Sequence, residues 1–211
     1  MEDLAESVTK LQKLTAAMWP IMSKQVLYRK IPPRLNKGAA LLFTSGSEGQ
    51  PKGVLLSHKN LQTAVHQVSS SIDLNIKDVL FNPLPIFHSF GLACGTIMPI
   101  LHGIKVFTYP SPLHYRIIPE MIYDTDATVV VGTSTFLNGY QKFAHPYDFC
   151  NVRYVFAVAE KLNLQTRQSY FEQFGVRILE GYGATETSPV ISINTPMHHK
   201  QGSAGRIFPG M

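Results

Sequence analysis

LLFTSGSEGQPKGVLLS, residues Leu41–Ser57, is the stretch on which the reading of this 211-residue chain turns. The apolar run Ala39–Phe43 has strand character and feeds a loop of small and hydroxylated residues carrying one lysine. A second apolar run, Val54–Leu56, follows the loop, and Ser57-His58-Lys59-Asn60 opens a helix. Gly46, Gly49 and Gly53 let the backbone turn where a side chain would clash. Successive N–H groups can then point into one concavity, the requirement for an anion nest. Thr44, Ser45 and Ser47 supply hydroxyl donors, and Lys52 supplies a mobile positive charge beside Glu48. Such a loop suits a polyphosphate; the plainer alternative is a Gly/Ser surface loop between two strands.

The lysine follows a proline and precedes a glycine, so the loop does not fit GxxxxGK[ST], in which Ser or Thr follows the lysine. An ATPase or kinase of that type is excluded by Gly53. The length suits one substantial domain rather than two large ones. With 45% hydrophobic and 16% charged residues, the composition is that of an ordinary globular chain. The net charge of +5 comes from scattered lysines and arginines without a dense stripe, so no nucleic acid is expected as a partner. A mild attraction for an acidic partner such as an anionic carrier protein remains. Cys94 and Cys150 form no CxxC pair and are expected as buried, reduced thiols. No apolar run is long enough to span a bilayer, and no secretory signal pattern opens the chain.

Leu4, Val8, Leu11, Leu14 and Met18 recur at helical spacing, predicting an amphipathic helix over Met1–Met22 that Pro20 ends or kinks. It suits either a membrane surface or a cover over core. Ser23–Lys37 is basic and holds Pro32-Pro33, an extended connector. The chain therefore divides into residues 1–36, helix and connector, and residues 37–211, the core. Within the core the pattern predicts a helix over Asn60–Ser71, an apolar strand in Asp78–Pro85 and a buried helix over Gly91–Ile100. It then predicts a strand over Gly103–Tyr109, a helix over Ile117–Asp124 with Pro119 in its first turn, and a strand over Ala127–Val131. Strands over Val152–Val158 and Val176–Leu179 flank a helix over Leu164–Phe174 that Gly175 closes. Strands alternating with helices argue for an α/β fold with a mostly parallel sheet flanked by helices. Ligands gather at the carboxyl ends of such strands, and the informative loops all follow predicted strands.

EGYGATETSPV (Glu180–Val190) follows one of these strands. Gly181 and Gly183 bracket Tyr182, a flat ring suited to stacking on a base, with Ala184 next to Thr185 and Glu186. A carboxylate beside a polyphosphate is a natural Mg²⁺ ligand, since Mg²⁺ takes one or two carboxylates plus phosphate oxygens and water. The alternative is a Gly-rich turn with an exposed glutamate. His88 lies in PLPIFHSFGL, where a lone histidine also suits a structural role. Gly132-Thr133-Ser134-Thr135-Phe136 follows a buried strand and suits an ordinary strand-to-helix turn.

Together these segments resemble the adenylate-forming (AMP-binding) enzymes: acyl-CoA synthetases, nonribosomal adenylation domains and luciferases. TSGSEGQPKG resembles their phosphate-binding signature, and the YG-x-TE segment their second one. The resemblance implies that residues Thr44–Gly49, Lys52 and Gly53 hold phosphates, that Tyr182 with Gly181, Gly183 and Ala184 lines adenine, that Thr185 contacts the phosphoryl group, and that Glu186 binds Mg²⁺. Val158-Ala159-Glu160 resembles the turn bordering adenine, with valine and alanine in place of the more usual glycines. His88 resembles the position beside the reacting carboxylate, and Gly132–Phe136 the lining of the acyl pocket.

The resemblance runs from about Lys37 to the end. SEG, PLPIFHSFGL, YPSPLHYRIIPE, GTSTFL, HPYDF, AEKL and LEGYGATE jointly resemble the synthetase part of bifunctional acyl–acyl carrier protein synthetase/2-acylglycerophosphoethanolamine acyltransferases. The implied activity is ATP·Mg²⁺-dependent activation of a fatty acid and its transfer to acyl carrier protein. The alternatives are a long-chain acyl-CoA ligase and a non-catalytic nucleotide-binding module. A cytoplasmic location is implied, or the cytoplasmic face of the inner membrane for a bifunctional parent, with membrane contact only through parts of that parent. GSAGRIFPGM (Gly202–Met211) resembles the segment ahead of the family's ribose-binding Asp, hinge and lid domain with its catalytic Lys. The chain thus reads as part of a large N-terminal domain with little or no adenylation activity alone.

Overall fold

A computed structural model of the chain describes residues 34–44 and 50–211. The helix expected over Met1–Met22 lies outside the described residues, as do Ser45, Gly46, Ser47, Glu48 and Gly49. All elements below belong to the unit Asn36–Met211. The chain first makes an antiparallel hairpin, β1 (Gly38–Thr44) and β2 (Lys52–Ser57), whose register pairs Thr44 with Lys52 at the loop end. Ser57 then caps α1 (His58–Ser71): its Oγ accepts from the Asn60 amide at 3.1 Å, while Asn60 Oδ1 accepts from the Ser57 amide at 2.9 Å. There follow β3 (Val79–Asn82), α2 (Ser89–Leu92), a π-helical turn (Ala93–Ile97), α3 (Met98–His102), β4 (Lys105–Thr108) and α4 (Ile117–Asp124). The chain continues through β5 (Val129–Gly132), α5 (Ser134–Gln141), a short 3₁₀ turn (Pro146–Phe149), β6 (Tyr154–Ala157), α6 (Leu164–Phe174) and β7 (Ile178–Tyr182). A 3₁₀ turn (Thr185–Thr187) leads to β8 (Ser192–Ile193) and β9 (Arg206–Ile207).

The seven-stranded sheet is ordered β4-β3-β5-β6-β7-β8-β9. Its first five strands are parallel, and β8 and β9 extend it antiparallel. Successive strand residues face opposite sides, so each parallel strand feeds two cores. Leu80, Val129, Val131, Phe156 and Leu179 pack with Val65 and Val68 of α1 and with Phe90, Cys94 and Met98. Phe81, Val130, Val155 and Ile178 pack with Ile118 and Ile122 of α4, Leu137 and Tyr140 of α5, and Tyr170 of α6. Strands buried on both faces read as continuous apolar runs, which is why VVVG carries no polar alternation. This is the α/β fold with flanking helices that the sequence predicts.

Several local expectations are revised. The apolar run Gly91–Ile100 is not one regular helix, because a π turn interrupts it where Gly95 presses on buried Asn82; an added Cβ would lie 2.4 Å from Asn82 Nδ2. The Val176–Leu179 strand starts and ends later, since β8 pairs Ile193 with Gly181 and Ser192 with Tyr182, drawing motif residues into the sheet. The flanking strands are shorter than their apolar runs. Cys94 is buried as expected, whereas Cys150 is exposed after the Pro146–Phe149 turn. Among the described residues no helix is long and apolar enough to cross a membrane.

Candidate active site

Counted from β3, the five parallel strands lie in the order second, first, third, fourth, fifth. The chain reverses its winding between β3 and β5, and the crevice beyond the carboxyl ends of strands at such a point is where ligands bind in open α/β sheets. A cavity of about 600 Å³ opens there. Its walls are the turns that follow β3 (Leu84, Pro85 and His88), β5 (Thr133 and Thr135), β6 (Val158 to Glu160) and β7 (Gly183 to Thr185). Phe90, Phe136 and Pro189 make the lining largely apolar, with hydroxyls and one carboxylate at its polar side.

The segment after β7 owes its shape to one residue. A Cβ on Gly183 would lie 1.7 Å from the Pro189 carbonyl oxygen, so only glycine allows the backbone to double back there. Thr187 Oγ1 accepts from the Ala184 amide at 3.0 Å and fixes the Thr185–Thr187 turn. Thr185 Oγ1 thereby reaches the cavity, 3.3 Å from Ser89 Oγ at the start of α2. Glu186 is exposed and makes no ion pair among the described residues. Tyr182 is 59% exposed and stands outside the cavity wall. His88 caps α2 without a side-chain hydrogen bond, lines the cavity and leans on Phe87 at 4.8 Å between ring centroids.

The hairpin approaches the same side: β2, which begins at Lys52, lies against the Thr185–Thr187 turn. Lys52 is exposed, and Gly53 pairs with Phe43. Thus Thr44 and Lys52, on either side of residues 45–49, stand on a hairpin that meets the YG-x-TE segment. Glu160 lines the cavity, and its carboxylate is engaged by the protein itself. Oε1 accepts from the Thr135 amide at 2.6 Å and Oε2 from Thr135 Oγ1 at 2.9 Å. Desolvation pushes the Glu160 carboxyl up, yet hydrogen bonds from Thr133 and Thr135 outweigh it and hold the group below the usual carboxylate range.

A residue with no assigned role also supports the site. Glu180 is buried at the head of the motif, ion-paired with Arg167 of α6, and its Oε1 accepts from the Leu162 amide at 3.2 Å. The sequence signal was available: a glutamate in a strand otherwise buried on both faces needs a cation. No group of three or more His, Cys, Asp or Glu side chains is placed to hold a metal among the described residues. A Mg²⁺ carried in on a polyphosphate requires only one or two carboxylates, and Glu186, exposed next to cavity-lining Thr185 and without an ion pair among the described residues, fits that demand.

A family model described as AMP-binding enzyme matches residues 3–211, and the chain belongs to that family. A probable 4-coumarate–CoA ligase 3 from Dictyostelium discoideum is 30% identical over 184 residues, covering 84% of this chain and 33% of the relative. The medium-chain fatty-acid–CoA ligase of Escherichia coli K12 is 29% identical over 184 residues, covering 82% and 31% respectively. ATP-bound MatB from Rhodopseudomonas palustris superposes with a TM-score of 0.75 at 27% identity, over 85% of this chain and 36% of that one. The anthranilate CoA ligase AuaEII, solved with anthranoyl-AMP, shares the fold at 22% identity and a TM-score of 0.75, over 83% and 35%. The chain therefore spans about a third of the length of these relatives.

Proposed function

We propose that the chain carries the nucleotide- and acid-binding core of an enzyme that activates a fatty acid with ATP·Mg²⁺ and passes the acyl group to a phosphopantetheine thiol. The supporting observation is convergence: four post-strand turns wall one cavity, and the Lys52 strand meets the Thr185–Thr187 turn beside it. A carboxylate oxygen attacks the α-phosphorus, the bond to the bridging oxygen breaks, and pyrophosphate leaves. The thiol sulfur then attacks the acyl carbonyl and AMP leaves. On this reading Thr44, Ser45, Gly46, Ser47, Glu48, Gly49, Lys52 and Gly53 bind the β- and γ-phosphates, a role their resemblance to the family's phosphate-binding signature supports. Glu186 would hold Mg²⁺, which would supply charge neutralisation at the phosphates. Thr185 holds the phosphoryl oxygen, Tyr182 with Gly181, Gly183 and Ala184 borders adenine, and His88 stands beside the reacting carboxylate. Catalysis of the first step is then positioning and charge neutralisation.

Two thiol carriers share this chemistry. The joint occurrence of LEGYGATE, AEKL and PLPIFHSFGL favours acyl carrier protein, while relatives that are CoA ligases favour CoA. Calorimetric titration of the chain with ATP·Mg²⁺ tests the core reading. Charge-assisted contacts contribute about 1.5–3 kcal/mol each, so Lys52→Ala or Glu186→Gln is expected to weaken binding roughly tenfold to a hundredfold. Equal affinity in wild type and both variants would leave a vestigial module. In protein of the relatives' full length, thioester formation with holo-acyl carrier protein against CoA separates the two acceptors.

A further inference from the structure

We propose that Glu160 is a positioning residue whose carboxylate clasps the turn after β5 to the turn after β6, setting the width of the cavity rather than touching the nucleotide. This rests on reading the cavity as the nucleotide and acid site. Both carboxylate oxygens are already occupied by Thr135, one by its amide and one by its hydroxyl. That amide belongs to the first turn of α5, where unsatisfied N–H groups and the helix dipole favour an anion. Glu160 thus supplies from within the chain the negative charge that the end of α5 attracts.

The backbone beside it needs such a tie. Ala159 has φ = 79°, in the left-handed region that a side chain disfavours, so the turn after β6 holds its shape against a local preference. Two further hydrogen bonds anchor the next residues: the Leu162 amide donates to Glu180, and the Asn163 amide donates to Ser134 Oγ at 2.9 Å. Of these ties only the Glu160–Thr135 pair joins two residues that themselves line the cavity. Releasing it loosens two adjacent walls, Thr133 and Thr135 on one and Val158 and Ala159 on the other.

The test reads two quantities on the whole chain. Amide hydrogen exchange at Thr135, measured without ligand, is expected to accelerate about tenfold in Glu160→Ala and less in Glu160→Gln, which retains an acceptor for the amide. ATP·Mg²⁺ affinity is expected to fall about tenfold in Glu160→Ala. The same substitution should cost less in a Thr135→Val background, because residues that act through one another are non-additive. Glu160→Asp, one methylene shorter, should not restore wild-type binding. Unchanged Thr135 exchange in Glu160→Ala overturns the clasp, and with it a loss of ATP·Mg²⁺ affinity would place the carboxylate on the nucleotide; Thr135→Val removes only the hydroxyl contact and leaves the amide donor in place. Should Glu160→Ala fail to fold, exchange in Glu160→Gln and Thr135→Val decides by the same criteria. Wild-type protein that binds no nucleotide would defeat the reading of the cavity, while the exchange experiment would still judge the clasp.

Discussion

Single residues fix the site more tightly than their exposure suggests. At Gly183 one methyl group would collide with the Pro189 carbonyl, so Gly183→Ala must push the Thr185–Thr187 turn out of place. Misplacing a positioning group by about 1 Å can cost roughly a hundredfold, and nucleotide affinity in this variant is expected to fall at least tenfold by calorimetry. The two cysteines make a second contrast. Burial pushes the Cys94 thiol up to about 12, whereas Cys150 is exposed. Thiolate is the reactive form, so a thiol reagent should label Cys150 in the native protein and reach Cys94 only on unfolding. His199 provides a pH dependence: burial, then the charges of Arg177 and Arg167, hold its imidazole below the ordinary value, with Glu180 opposing. A lowered folded-state pKa means that the unfolded chain takes up the proton first. The stability His199 confers is thus complete above about pH 6.5 and declines as pH falls from there through the folded pKa. Urea midpoints measured from about pH 7.5 down to about pH 5 should show a shallower decline in His199→Gln.

Elements differ in how far local letters determine them. Helices α4 and α6 lie where the sequence puts them, Ile117–Asp124 and Leu164–Phe174, because Pro119 and Gly175 mark their ends locally. The Ser57 cap of α1 is equally local, and Ser57→Ala should lower stability by about 0.5–2 kcal/mol in denaturant unfolding. What escaped the sequence is non-local. Strand β7 runs on through Gly181 and Tyr182 only because β8, which pairs Ser192 with Tyr182 and Ile193 with Gly181, returns beside it. The π turn in Ala93–Ile97 answers to Asn82 on another element, and apolar periodicity carries no trace of that. The site shows the same division. Thr185, His88 and Glu160 lie in motifs the sequence singles out and line one cavity, but the partner of the Glu160 carboxylate comes from a different turn and has no signature in spacing.

At the scale of the unit Asn36–Met211, the buried core surrounds the five parallel strands, and the cavity lies among the turns at one end of them. Phe81 is fully buried in the core beneath α4 and α5, and Phe81→Ala should cost about 3–5 kcal/mol, read as a lower urea midpoint. The reversal of winding between β3 and β5 determines which turns face one another, so distant segments such as Pro85–His88 and Thr133–Phe136 share one chamber. That separation bears on how such a chain can change. Residues that keep the scaffold upright and residues that border the chamber are spelled by different letters. New clientele can therefore be acquired by rewriting a few bends while the framework beneath goes on standing.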